Sequence, residues 1–194
     1  MKPTRFETAI AIIDKKNAED PNSYQVSGIE YPKELLYSQR MTRKLLQFEP
    51  NASKAIQIAA RAQHICRWQI ARNEYPMDRV GYLKWREEIK KMHATITGEI
   101  LVKVGFDEQF VDRVQKIILK KLIKKNEESQ LLEDVICLVF LDYYFDEFAA
   151  KHSDEKIIDI LKKTWVKMSD KGHEAALKIA FSDKSLALVK QAIS

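Results

Sequence analysis

Residues 131–152, LLEDVICLVFLDYYFDEFAAKH, are the most apolar segment of the chain and decide its fold class. The large side chains recur at intervals of three and four residues, which is the spacing of one face of an α-helix. The members of this face are Asp134, Leu138, Leu141, Phe145, Phe148 and His152. The segment therefore predicts a long central helix with an aspartate on its buried face.

The other apolar segments have the same helical spacing, and none alternates as a strand does. Local signals mark helix ends: Thr4-x-x-Glu7 resembles a capping box, Asp78 and Asp107 suit N-caps, and Gly105 suits a C-terminal stop. A second helix is predicted over 34–48 and a third over 52–68. We predict an all-α fold of about eight helices in one domain, residues 1–194, with residues 1–30 as an N-terminal appendage.

Composition limits the classes of protein to which the chain can belong. Its 194 residues suit one well-buried core, and its net charge of +5 favours anionic partners. Cys66 and Cys137 lie far apart in the sequence, as expected for buried, reduced thiols. No apolar run reaches the roughly 20 residues that cross a bilayer. These features predict a cytoplasmic protein with no membrane partner.

Three polar residues fall on apolar helical faces in three different segments: His64, His93 and Asp134. A buried carboxylate is costly unless it is paired or binds a cation, and two imidazoles with a carboxylate suit a divalent transition metal. We predict that the three form one site, with catalytic or metal-ligating roles and a divalent metal as a potential cofactor. The alternatives are histidines hydrogen-bonded within the core, and a salt bridge from Asp134 to Arg61 or Arg67.

The segment after His64 is rich in arginines and aromatic rings, and it leaves directly from the predicted His64 helix. Guanidinium groups bind phosphate through two parallel hydrogen bonds, and aromatic rings stack on bases. We expect this segment to cover the His64 site and bind a phosphorylated small molecule or nucleotide, unless it is only a charged loop anchored by core aromatics. The candidate residues are Arg67, Trp68, Arg72, Arg79 and Arg86.

Other motifs add little to these candidates. Residues 119–125, LKKLIKK, alternate lysines with apolar residues, which indicates an amphipathic helix and a modest potential for RNA contact. The sequence contains no Walker A loop, GxGxxG, GxSxG or HExxH motif. Nucleotide hydrolysis on a P-loop, a nucleophilic serine elbow and a zincin site are therefore excluded.

Six stretches in this order resemble the domain of unknown function 4202 family over nearly the whole chain: RFETAIAIIDKKNAEDPN, PKELLYSQRM, ARAQHICRW, YPMDRVGYLKWR, LEDVICLVFLDYYFDEFAAKH and KTWVKMS. The resemblance implies no particular activity. Some members of that family carry a glutamyl-tRNA synthetase label. This sequence has no HIGH-like or KMSKS-like loop for that activity, and KMSDKG at 167–172 only echoes one.

The order of the segments is also similar to that of the HD-domain phosphohydrolases, which hold a metal between histidines and aspartates. By that resemblance His64 matches the histidine of the His-Asp pair, His93 an additional histidine and Asp134 the distal aspartate. Tyr37 stands in place of the first histidine and Ile65 in place of the paired aspartate. The resemblance implies an HD-like helical arrangement in which Tyr37 lines the site, with two of the four metal ligands replaced.

These observations lead to two functional expectations. The first is a degenerate HD-like pocket that binds a phosphorylated small molecule or nucleotide, with metal-dependent phosphohydrolase activity left open. The alternative is a non-catalytic helical domain that associates with RNA or with another protein.

Overall fold

The structure, a computed structural model, describes residues 2–120 and 126–193. It confirms the all-α prediction, because the described residues are mostly helical and their only sheet has two short strands. The chain divides into two compact units, unit 1 (Met1–Leu122) and unit 2 (Ile123–Ser194). Each unit is described by itself, and the single domain predicted for 1–194 stays a prediction.

Unit 1 contains five helices and a hairpin within the described residues. They are α1 (Arg5–Asn17), β1 (Ser23–Val26), β2 (Ile29–Pro32), α2 (Lys33–Phe48), α3 (Lys54–Arg61), α4 (Arg79–Val104) and α5 (Glu108–Ile118). Two 3₁₀ turns, Arg67–Gln69 and Arg72–Glu74, lie between α3 and α4. The described part of unit 2 contains α6 (Glu127–Tyr143), α7 (Phe145–Ala150), α8 (Asp154–Trp165), α9 (Asp170–Ala176) and α10 (Asp183–Ile193).

The helix ends predicted from local signals are confirmed. Thr4 and Glu7 form a reciprocal capping box at α1. The Asp78 carboxylate accepts a hydrogen bond from the Gly81 N–H at α4, and that of Asp107 accepts one from the Phe110 N–H at α5. Gly105 ends α4 with φ 91°, a conformation that glycine adopts without strain. Short-range hydrogen bonding therefore sets these boundaries.

Helix α1 contributes to the core of unit 1. It packs against α2, α3 and α4, with Ala9 and Ile13 fully buried. The guanidinium of Arg61 on α3 donates to both carboxylate oxygens of Asp14 at 2.6 Å. A third Arg61 N–H donates to the Thr42 hydroxyl on α2 at 3.2 Å. These contacts join α1, α2 and α3 within unit 1.

The β1–β2 hairpin was not predicted from the sequence. Its two-residue turn, Ser27-Gly28, has φ of 50° and 82°, and positive φ at both positions is typical of a type I′ turn. The strands are only four residues each, too short for alternation to stand out. Strand β2 ends at Pro32 and leads directly into α2.

Two predicted helices end earlier than expected. Helix α3 stops at Arg61, so His64 lies in a turn and not on a helix that continues to Trp68. Cys66, with φ 55°, has a left-handed backbone that a continuous helix excludes. In unit 2 the helix predicted through His152 is interrupted at Tyr144, which has φ −128° between α6 and α7. Cys66 and Cys137 are both buried, and no disulfide joins them.

Three of the six residues predicted for this face, Asp134, Leu138 and Leu141, are buried on α6. Leu138 is 2% exposed and Leu141 is 5% exposed. Helix α6 packs against α7 and α9 within unit 2.

None of the helices in the described ranges, 2–120 and 126–193, combines the length and the apolar character needed to cross a membrane.

Candidate functional site

His64 is held between an acidic and a basic side chain. Its Nδ1 lies 3.0 Å from Glu34 Oε2, and its Nε2 lies 3.1 Å from Arg67 Nη1. A guanidinium can only donate, so Nε2 is the acceptor and the ring proton resides on Nδ1. Nδ1–H then donates to Glu34. Neither nitrogen of His64 is left with a free lone pair in this arrangement.

The start of α2 positions the Glu34 side chain. Pro32 precedes the helix and provides no side-chain cap, but Asp20 accepts a hydrogen bond from the Glu34 N–H at 3.0 Å. Glu34 is 5% exposed, and this burial raises the pKa of its carboxyl to about 7, against the opposing charges of Arg67 and Lys33. The carboxyl therefore exchanges its proton near neutral pH.

Tyr37 stacks on the His64 ring. The ring centroids are 4.0 Å apart and the planes differ by 10°. Tyr37 lies three residues after Glu34, so both side chains project from one face of α2 toward the turn that carries His64. The structure thus places Tyr37 directly beside His64.

His93, on α4, is the second histidine of the site. Its ring centroid lies 6.0 Å from that of His64, and the residue is 2% exposed. Neither ring nitrogen has a hydrogen-bond partner among the described residues. Burial lowers the pKa of His93 well below its ordinary value, and His64, when protonated, and the cations Arg67 and Lys120 act in the same direction. His93 is therefore neutral, with one N–H and one lone pair.

Positive charges act on both histidines. Burial lowers the pKa of His64 well below its ordinary value, and four cations, Arg67, Lys120, Lys33 and Arg86, lower it further. The His64 side chain nevertheless keeps 22% of its surface exposed. Because both histidines are neutral, these cations give the site an excess of positive charge. Glu34, when ionised, offsets part of it.

The arginine and aromatic segment gives its residues separate roles. The Arg67 guanidinium lies 4.7 Å above the Trp85 ring, and the Trp85 indole N–H donates to the Ile70 carbonyl at 2.9 Å. Arg72 also lies over Trp85, at 6.0 Å, but its guanidinium donates to the carbonyls of three loop residues. These are Tyr75, Pro76 and Asp78. Arg72 therefore holds the loop together, whereas Arg67 contacts the histidine.

The remaining candidates of this segment lie further out. Arg86 is half-buried and lies 5.6 Å from the Tyr82 ring centroid. Arg79, the first residue of α4, is exposed, and Trp68 is half-buried in a 3₁₀ turn. Of the four arginines predicted to face the site, Arg67 contacts His64, and the charge of Arg86 reaches it.

Asp134 lies on α6 in unit 2 and has partners there. Its Oδ1 accepts hydrogen bonds from the Ser169 N–H at 2.8 Å and from Gln130 at 3.2 Å. Its Oδ2 accepts from the Ser169 hydroxyl at 2.6 Å. Ser169 caps α9, and a Cβ at Gly172 of α9 would lie 2.6 Å from Asp134 Oδ1. Asp134 thus anchors the start of α9.

Two predictions gain no support from the structure. Within residues 2–120 and 126–193, no group of three or more His, Cys, Asp or Glu side chains is arranged to hold a metal ion. The shared metal site of His64, His93 and Asp134 stays a prediction. The lysine-rich run 119–125 lies mostly outside the described residues.

Glu34 was not among the site residues predicted from the sequence. A glutamate in the first turn of a helix is usually explained by the helix dipole, and nothing nearby signals burial. The available signal was its spacing of three residues from Tyr37, which places both on one helix face.

Comparison with known protein families supports the first of the two resemblances, the one that extends over nearly the whole chain. No curated protein and no solved structure matches the sequence. The HD-like arrangement therefore stays a prediction. The sequence profile described as domain of unknown function (DUF4202) matches residues 7–189. Because the match covers nearly the full length, the chain belongs to the DUF4202 family.

Proposed function

We propose that unit 1 binds a phosphorylated small molecule, such as a nucleotide or sugar phosphate, at the His64–His93 site. The observation that carries the proposal is the Arg67 guanidinium, held between the His64 ring and Trp85 beside the buried His93, whose nitrogens have no partner among the described residues. The charges of Lys120, Lys33 and Arg86 also act on His64. Such a concentration of positive charge next to polar groups without partners favours an anion. Guanidinium groups hold phosphate through paired, charge-assisted hydrogen bonds.

Arg67 is the principal phosphate ligand in this proposal. Without ligand its guanidinium contacts a neutral imidazole nitrogen and an aromatic ring, and its Nε lies 3.9 Å from Glu34 Oε1. Each of these contacts is weaker than a paired hydrogen bond to a phosphate. A phosphate therefore attracts Arg67 more strongly than its present partners do.

The residues favour binding over HD-type metal chemistry. His64 directs Nδ1–H at Glu34 and its Nε2 lone pair at Arg67, so a metal ion would have to displace a cationic side chain to reach that lone pair. Isoleucine at 65 cannot ligate, and tyrosine at 37 is a poor divalent ligand at neutral pH. Asp134, whose carboxylate oxygens accept from Ser169 and Gln130, has no role in the proposed binding.

Calorimetric titration of the full chain with a panel of nucleotides and sugar phosphates tests the proposal. We expect one ligand per chain, and Arg67→Ala should weaken its binding by about 1.5–3 kcal/mol, the range for hydrogen bonds to charged groups. Arg79→Ala, which removes an exposed arginine of the same segment, is the matched control and should leave affinity unchanged. Absence of binding by every compound, or equal loss in the two variants, would overturn the proposal.

A further inference from the structure

We propose that the ligand of this site carries a hydroxyl group, or another hydrogen-bond donor, close to its phosphate, and that His93 and His64 accept hydrogen bonds from it. This inference rests on the proposed function and names the class of ligand: polyol or sugar phosphates, in preference to phosphates on plain alkyl chains.

The first argument comes from His93. The residue is only 2% exposed, and both ring nitrogens lack a hydrogen-bond partner among the described residues. A neutral imidazole offers one N–H donor and one lone-pair acceptor, and a buried polar atom without a partner is costly. A ligand that satisfies His93 must therefore present one acceptor and one donor.

The second argument comes from His64. Its Nδ1–H is directed at Glu34, so the face turned to Arg67 exposes only the Nε2 lone pair. In the proposed complex the Arg67 Nη1–H groups turn from Nε2 to the phosphate, which leaves that lone pair without a donor. The ligand atom that takes this place has to donate a hydrogen bond, because Nε2 carries no proton.

Together the two rings require donors that a phosphate cannot supply. A phosphate monoester above its second pKa, near 6, is a dianion whose oxygens only accept hydrogen bonds. Those oxygens satisfy Arg67 and the His93 N–H. The lone pairs on His93 and His64, in rings 6.0 Å apart, still need donors, and hydroxyl groups near the phosphate supply them.

Two phosphates of equal charge and similar size test this inference on the full chain. Glycerol 3-phosphate and propyl phosphate differ by two hydroxyl groups, and both are dianions at about pH 8. We expect glycerol 3-phosphate to bind at least about tenfold more tightly by calorimetry, since a site built around a hydroxyl discriminates against its absence. Equal affinity for the two would overturn the inference but leave the phosphate site in place. Failure of both, and of inorganic phosphate, would overturn the site itself.

A variant assigns the preference to His93. His93→Phe removes both nitrogens while keeping a ring of similar size, and should bring the affinity for glycerol 3-phosphate down to that for propyl phosphate. His152→Phe, in unit 2, is the control and should keep the preference. Retention of the full preference in His93→Phe would contradict the role given to His93. The comparison of two ligands on the unmodified chain remains decisive even where the variant fails to fold.

Discussion

Two neighbours set the tautomer of His64: Glu34, 30 residues before it in the sequence, and Arg67, three residues after it. Arg67 fixes the tautomer by donating to Nε2, and Glu34 receives the proton on Nδ1. A polar role for His64 and His93 could be predicted, because each falls among apolar residues at helical spacing. The role of Glu34 could not be predicted from the sequence, because Glu34 is buried only once the hairpin has placed the start of α2 against the His64 turn.

Glu34→Gln tests the buried carboxyl. Its pKa rises from an ordinary 4.5 to about 7 on folding, so the folded state retains a proton that the unfolded state releases. The stabilisation is fully present below pH 4.5 and is lost as pH rises through 7. The free energy of unfolding of the unmodified protein, relative to that of the Gln variant, should fall by up to about 3 kcal/mol across this window.

Urea unfolding of both proteins at a series of pH values measures that difference. The histidines contribute with the opposite sign, because their lowered pKa values destabilise the fold as pH falls below their ordinary 6.5. Subtraction of the two curves removes this common contribution. A difference that stays constant with pH would show that folding does not shift the pKa of Glu34.

Among the elements, the start of α2 matters most for the site. The hairpin ends at Pro32, and α2 begins without a capping side chain of its own. Asp20, 8% exposed, replaces the cap: its Oδ2 accepts from the Glu34 N–H and its Oδ1 from the Asn22 N–H. A residue from the α1–β1 loop thus sets the position of Glu34.

Asp20→Ala should destabilise the protein by about 1–2 kcal/mol, the usual cost of losing a helix cap with its hydrogen bonds. It should also weaken ligand binding, because Glu34 and Tyr37 lie in the first turns of α2. Glu19→Ala changes the exposed neighbouring carboxylate and should alter neither quantity. Denaturant unfolding and calorimetry measure both effects. Equal stability of the two variants would contradict the capping role.

Element boundaries were predictable where local chemistry sets them. Thr4, Asp78, Gly105 and Asp107 act through backbone groups within a few residues, so their signals are present in the sequence. The end of α3 was not predictable, because the apolar spacing continues beyond Arg61 while the chain turns. The left-handed conformation of Cys66 is uncommon for a residue other than glycine, and no sequence signal announces it.

At the scale of the whole molecule, the proposed binding residues all belong to unit 1, and Asp134 belongs to unit 2. The helical class followed from the spacing of apolar residues along the entire chain. The division into two compact units could not be predicted in this way, because the amino-acid composition changes little along the sequence. The net charge of +5 is consistent with an anionic ligand, but the site depends on a few cations around His64.

Nuclear magnetic resonance of the histidine ring nitrogens tests the central claim most directly, because the chain has four histidines: His64, His93, His152 and His173. The phosphate site predicts a neutral His64 protonated on Nδ1, and a neutral His93. Addition of glycerol 3-phosphate should shift the nitrogens of these two rings and leave His152 and His173 unchanged. A saturating titration that leaves His64 and His93 unmoved would contradict the assignment of the ligand to this site.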